Sequence, residues 1–462
     1  MVFSGLPFLF FFLPAALGLY YLAPRRAKNG VLCLVSIVFY AWGEPVYVTL
    51  MLFSIILNFS YGQWARRHGP RRPALFLTVC LNLALLGFFK YAGFLADSVN
   101  ALGANIPAPD LPLPIGISFY TFQALSYVFD VHRGRCAAQS SLIDFGCYLA
   151  MFPQLIAGPI VRYVSVAEQL RGRRETLAAF GEGIRLFALG LSKKVLLANQ
   201  IGVLWETCRA TPLDDLSVLA AWLGICAFAC QIYFDFSGYS DMALGLGRMF
   251  GFSFPLNFRY PYIARSVTDF WRRWHMTLSA WFREYVYIPL GGNRVAAPRH
   301  ILNIAAVWTL TGLWHGASWN FALWGAYFGL LLILEKYVWA HLLQKAPVWF
   351  GHIYCLTAVL VSWVFFSFES AGDALRYLGL MFGRATVYAD DFALYHMLSF
   401  GPLFIICAIG ATPIPAGLWR RLTQGRPGLA GWSGAALSAG ALFLCLAYIV
   451  SSAYNPFLYF RF

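Results

Sequence analysis

Apolar runs about as long as a bilayer is thick recur from one end of the chain to the other, and this recurrence limits the fold more than any other feature. A helix needs about 20 apolar residues to cross the hydrocarbon. Runs of this kind cover Leu6 to Leu22, Val31 to Phe59, Ala74 to Leu95, Leu177 to Val203, Leu216 to Phe236, Ile301 to Trp314, Phe321 to Val338, Ile353 to Phe368, Leu394 to Ala411 and Ser433 to Val450. With the shorter stretches between them they predict roughly ten to thirteen crossing or re-entrant segments. Only 12% of the residues are charged, about half the share in a soluble domain. The expected fold class is an all-α polytopic membrane protein, a single integral membrane domain over residues 1–462.

The distribution of charge fixes what the basic excess means. The formal charge is +14, but the arginines and lysines stand in short clusters between apolar runs, at Arg66, Arg67, Arg71 and Arg72, at Arg171, Arg173 and Arg174, and at Arg420, Arg421 and Arg426. Topology signals and contacts with anionic membrane lipid produce that pattern, and nucleic-acid binding is set aside. The first apolar run has no basic residue before it and Arg25, Arg26 and Lys28 after it. That order argues for a retained first span with the N-terminus facing outward. The ten cysteines include several within apolar runs, and none has the paired spacing of a metal site, so no metal is expected.

Three segments interrupt the span pattern. Pro107 to Gln123 is proline-rich before it turns apolar, Met151 to Tyr163 carries Pro153 and Gly158-Pro159, and Tyr233 to Ala264 mixes aromatics with Asp235 and Asp241. Broken helix inside a membrane is tolerated only where protein or a wet cavity satisfies the freed backbone groups. A tunnel is expected near these breaks. No fixed repeat is visible by eye, which weakens a transporter built from internal repeats.

The segment "SVTDFWRRWHMTLSAWFREYVYIPLGGNR", Ser266 to Arg294, reads as an amphipathic helix. Ser266 or Thr268 is placed to cap it, with Asp269 in its first turn. At 3.6 residues per turn Trp271, Trp274, His275, Leu278 and Phe282 share a face, and Arg272, Arg273 and Arg283 lie off it. Two readings stand: an interfacial helix with headgroup-level arginines, or a site for a phosphate-bearing ligand. In "GLWHGASWN" His315 lies between Trp314 and Gly316 at the end of an apolar run. An ionisable side chain at that depth is a functional candidate, and histidine suits proton transfer near neutral pH. The competing reading is a histidine at the end of a span, bonded to a neighbouring carbonyl.

The sequence lacks a GxSxG elbow, an HExxH helix and a GxxxxGK[ST] loop, so serine hydrolase, zinc protease and ATP-driven pump lose support. Acyl transfer to a hydroxyl would use what remains: a neutral histidine as base, a positive lining for a phosphorylated thioester, and a passage that excludes water.

The strings "LPIGISFYTFQALSYVFDVHRG", "FPQLIAGPIVRY", "IYFDFSGYSDMALGLGRMFGF", "NFRYPYIARSVTDFWRRWHMTLSAWFREYVYIPLGGNR", "GLWHGASWNFALWGAYFG" and "YNPFLYFRF", spread over about residues 113–462, resemble the membrane-bound O-acyltransferases. Within that family they are similar to the bacterial branch that O-acetylates alginate and related exopolysaccharides. The resemblance implies a ring of tilted transmembrane helices with re-entrant segments around a tunnel, in the bacterial inner membrane. It implies acetyl-CoA as co-substrate, with no permanently bound cofactor, periplasmic acetyltransferase partner proteins, and a polysaccharide as final acceptor. It places the family's essential histidine on His315, as general base, and its second polar position on His275. Arg272, Arg273, Trp274, Asn293 and Trp314 are weaker candidates for donor contact or support. Leu256, Arg259 and Asn199 depart from the branch's commonest pattern and leave the acceptor open among alginate, peptidoglycan, cellulose, teichoic acid and protein. A transporter that flips an acyl carrier or glycan without bond chemistry is the alternative of a different class, and a long-chain acyltransferase of the same fold is a third.

Overall fold

The computed structural model describes residues 2–109, 111–156 and 158–451. The "YNPFLYFRF" string lies outside the described residues. Among those residues every regular element is helical. Seven helices among the described residues are long and apolar enough to cross a membrane: Val48–His68, Arg72–Asn100, Leu177–Ala210, Val218–Met249, Val348–Ser367, Asp391–Gly410 and Gly428–Ser451. The protein is a multi-pass membrane protein. The Ala297–His315 and Trp319–Tyr337 helices, of 19 residues each, are not among the seven, because polar ends such as Arg299, His300, Glu335 and Lys336 lower their mean hydropathy.

Two expectations about the spans need correction. The run from Val31 to Phe59 is two helices, Lys28–Gly43 and Val48–His68, parted at Glu44–Tyr47. Pro45 stands in that break, and a proline within a helix removes a hydrogen bond and clashes with the preceding turn. The Tyr233 to Ala264 segment breaks later than expected. Its first part continues the Val218–Met249 helix despite Asp235 and Asp241, and irregular backbone begins only after Met249, where Gly251 takes a φ of 81°.

The chain divides into two compact units, residues 1–187 with 239–256, and residues 188–238 with 257–462. In the first, polar side chains buried in apolar helices find each other. Asn58 and Asn82 exchange amide hydrogen bonds at 3.1 and 2.9 Å, joining the Val48–His68 and Arg72–Asn100 helices. Arg173 donates from Nε to the Tyr20 hydroxyl at 2.9 Å and to the Phe250 carbonyl at 3.0 Å, and from Nη1 to Asn29 at 2.6 Å. One guanidinium thus ties three separated stretches of sequence.

The second unit holds the candidate site and is built on close helix crossings. A Cβ on Gly238 would come 2.7 Å from the Gly190 carbonyl, so these helices touch backbone to backbone. Beside that crossing Lys194 and Asp235 form a 2.7 Å ion pair with side chains only 4% and 3% exposed. The Ala297–His315 and Trp319–Tyr337 helices cross at Gly312 and Gly325, whose Cα atoms a Cβ on the other would approach to 3.0–3.1 Å. Small residues at a crossing replace side-chain packing with direct backbone contact. His315, three residues beyond Gly312, ends its helix, and Gly316 continues in extended conformation.

Candidate active site

Ser266 starts the segment that carries His275, accepting from the Asp269 N–H as the sequence predicts. The cap is reinforced from outside the segment. Glu335 accepts from the backbone N–H groups of Val267 and Thr268 at 2.5 and 2.9 Å and from the Thr268 hydroxyl at 2.6 Å. A carboxylate there satisfies donors that a helix start leaves without partners and complements its dipole.

The single amphipathic helix expected over Ser266 to Arg294 does not form. Val267–Trp271 is one short helix, Met276–Phe282 another, and a wide-turned stretch, Arg283–Tyr287, follows. The break falls on His275, which takes φ 42° and ψ 52°. A left-handed backbone is uncommon for any residue but glycine. Neighbours hold it there: the Arg259 N–H donates to the Arg273 carbonyl, and the Met276 N–H donates to the Asn257 carbonyl, each at 2.9 Å.

Asn257 also fixes the imidazole. Its Oδ1 accepts from the Thr277 N–H at 3.3 Å and the Thr277 hydroxyl at 2.9 Å, and lies 3.1 Å from His275 Nδ1. A backbone N–H can only donate, so the atom facing it is the amide oxygen, and His275 Nδ1 carries the proton that completes the set. The other nitrogen, Nε2, is then the one able to accept a proton. The ring is fully buried, edge-on to Phe236 at 4.8 Å.

His315 is 3% exposed, and its ring centre lies 6.4 Å from that of His275. Two histidines forty residues apart in sequence therefore meet. Trp314 packs beside both, at 5.9 Å from His275 and 5.1 Å from His315. Trp324 and Phe366 complete the surround of His315 at 5.0 and 5.5 Å. A cavity of about 10 Å³ opens at His315 among Phe236, Trp274, Trp324, Trp363 and Phe366. It is close to the smallest space that holds one water, roughly 10–15 Å³.

A second cavity, of about 670 Å³, is lined by Arg272, Arg283 and Lys336 together with His300, Tyr287, Ser279, Trp271 and Trp308. Glu335 also reaches it, but its single negative charge is outnumbered by Arg272, Arg283 and Lys336, so the lining is net cationic. His300 lies between hydroxyls, with Tyr287 2.7 Å from Nε2 and Tyr337 2.6 Å from Nδ1. Burial, then the charge of Lys336, hold its pKa below the usual histidine value. Trp271 on this cavity packs against Trp324 on the small one, centre to centre 5.6 Å. One aromatic layer separates the cationic space from the histidine.

Of the residues predicted from sequence, His315, His275, Trp274 and Trp314 come together, and Arg272 lines the cationic cavity. Arg273 instead pairs with Asp269 at 3.0 Å, and Asn293 is exposed and lines neither cavity. Asp235 pairs with Lys194. Sequence reasoning missed Asn257, Arg283, His300 and Lys336. Asn257 carries no motif of its own, and Arg283, His300 and Lys336 come from separate segments that only the fold assembles.

A helical membrane frame that brings two buried imidazoles to an aromatic pocket, one layer from a cationic cavity, defines a membrane enzyme of the group-transfer class. The family model described as MBOAT, membrane-bound O-acyltransferase family, matches residues 46–371. The protein belongs to that family and is an acyltransferase. It is 43% identical over 391 residues to a probable alginate O-acetylase AlgI of Azotobacter vinelandii, covering 83% of this chain and 78% of the relative. It is 42% identical over 395 residues to the protein of that description in Pseudomonas aeruginosa, covering 84% and 76%. A peptidoglycan O-acetyltransferase of Helicobacter pylori is 32% identical over 423 residues, covering 83% and 80%.

Proposed function

We propose that this protein takes an acetyl group from acetyl-CoA at the cytoplasmic face of the bacterial inner membrane and passes it outward for O-acetylation of alginate or a related exopolysaccharide. The acceptor rests on the relatives described as alginate O-acetylases, at 42–43% identity over most of the chain. The donor rests on the cationic cavity, the observation that carries the mechanism. Its volume of about 670 Å³ falls within the roughly 300–1,000 Å³ of ligand pockets, and three cations suit the phosphates of coenzyme A. His315 acts as general base on the acceptor hydroxyl. His275, held as its Nδ1–H tautomer by Asn257, supports the charge that develops. The basic cluster after the first apolar run supports an outward N-terminus, and periplasmic acetyltransferase partners complete delivery to the sugar.

Transfer is direct, without an acyl group resting on the protein. The test is reconstitution in sealed vesicles with labelled acetyl-CoA on the cytoplasmic side and alginate oligomers plus periplasmic partner on the other. Label recovered as ester on the oligomers supports the reading. Consumption of acetyl-CoA with ester appearing on peptidoglycan fragments instead would move the acceptor, and label crossing with its thioester intact would favour a transporter.

A further inference from the structure

One residue that lines the cavity at His315 carries a buried polar group for which base catalysis has no use. Trp324, 1% exposed, lines that cavity, and its indole Nε1–H is buried with no hydrogen-bond acceptor among the described residues. An indole nitrogen is a donor only, and buried donors are nearly always paired, so an orphan in a reactive pocket calls for a reason. Packing alone does not supply one. The ring sits against Trp271, Phe328 and Phe366 at 5.1–5.6 Å, contacts that phenylalanine would largely satisfy without stranding a donor. Trp363, on the same wall, also has an N–H that makes no hydrogen bond among the described residues, but it stands beside the Tyr262 hydroxyl, and Trp271, whose N–H is likewise unmatched, lines the large cavity instead.

We propose that the Trp324 Nε1–H is the oxyanion donor of the transfer reaction, kept without a partner in the resting protein because its partner is the thioester oxygen. The inference rests on His315 as base and deepens that reading. As the acceptor oxygen bonds to the thioester carbon, its proton passes to the His315 imidazole. The carbonyl π pair moves onto oxygen, where the indole N–H donates. Collapse of the intermediate returns that pair, breaks the carbon–sulfur bond, and sends the imidazolium proton to the departing sulfur. Ester and free thiol leave, and His315 is neutral again. A donor already dehydrated and fixed needs no reorganisation as charge develops, which is where such groups gain their effect.

The experiment compares wild type and Trp324→Phe in lipid, with acetyl-CoA as donor, thiol release as readout, and thermal unfolding measured alongside. The expected result is a fall in kcat of about 100-fold, little change in KM, and an unfolding midpoint equal to or above wild type. Should Trp324→Phe fail to fold, benzothienylalanine at position 324, which replaces the N–H by sulfur in the same ring shape, is expected to give that kinetic loss. Wild-type kcat in either folded variant, or a loss that tracks lowered stability, overturns the proposal while leaving the acetyl-transfer reading intact. A wild-type protein that releases no thiol from acetyl-CoA overturns the donor reading and this inference with it.

Discussion

Gly312→Ala separates what positions His315 from what stabilises the fold. Alanine is favoured over glycine in a helix by about 1 kcal/mol, so on propensity alone the change stabilises. Gly312, however, faces the Phe321 carbonyl, and a Cβ there would come within 3.0–3.1 Å of the Gly325 Cα and nitrogen. Backbone cannot rotate away as a side chain can, so the Ala297–His315 and Trp319–Tyr337 helices must part. Overpacking of this kind costs about 1–3 kcal/mol. The net expectation is a destabilisation of about 0–2 kcal/mol, a modest drop in unfolding midpoint. Activity suffers more, because His315 lies three residues along the helix that moves, and a misplacement of about 1 Å costs about 100-fold. Gly87→Ala is the control: it is helical and has nothing within 4 Å of a built Cβ, so it is expected to gain about 0.5–1 kcal/mol and keep full activity. Thermal unfolding and acetyl-CoA turnover, measured on the same lipid-reconstituted samples, check both. A Gly312→Ala protein with wild-type turnover would refute the claim that this crossing sets the histidine.

Two further outcomes test other parts of the site. Asp235→Asn removes the countercharge of the buried Lys194 ammonium in a span and is expected to destabilise by about 3–5 kcal/mol, with Lys194→Met added to Asp235→Leu restoring much of the midpoint in thermal melts. Asn257→Leu removes the acceptor that orients His275; turnover is expected to fall about 10–100-fold, as for loss of groups that orient histidine ligands, whereas Asn257→Asp, which keeps the acceptor, retains more activity in the same assay.

The parts of this site that were legible in sequence are those written in adjacent residues. His315 beside Trp314 stands out as an ionisable side chain at membrane depth, and Ser266 with Asp269 announces a helix start. The left-handed turn at His275 was not legible. Aromatic residues at helical spacing continue straight through it, and the backbone bonds that enforce it come from Asn257 and Arg259, outside the apparent helix. The cationic cavity was hidden for a similar reason. Arg283 reads as one more charge off the apolar face, and His300 and Lys336 read as ordinary helix ends, until the fold sets them around one space. Asp235 and Asp241 looked like helix interruptions, but a buried lysine neutralises Asp235 and the helix runs on to Met249.

The central claim is that His315 is the base of an acyl transfer, and release of coenzyme A from labelled acetyl-CoA tests it most directly. Wild type and His315→Ala are compared in lipid with acceptor and partner present, after matching for folded protein by thermal unfolding. The account predicts turnover by wild type and a loss of at least about 100-fold in the variant, the lower end of what general-base catalysis contributes. Equal turnover by the two proteins would contradict it.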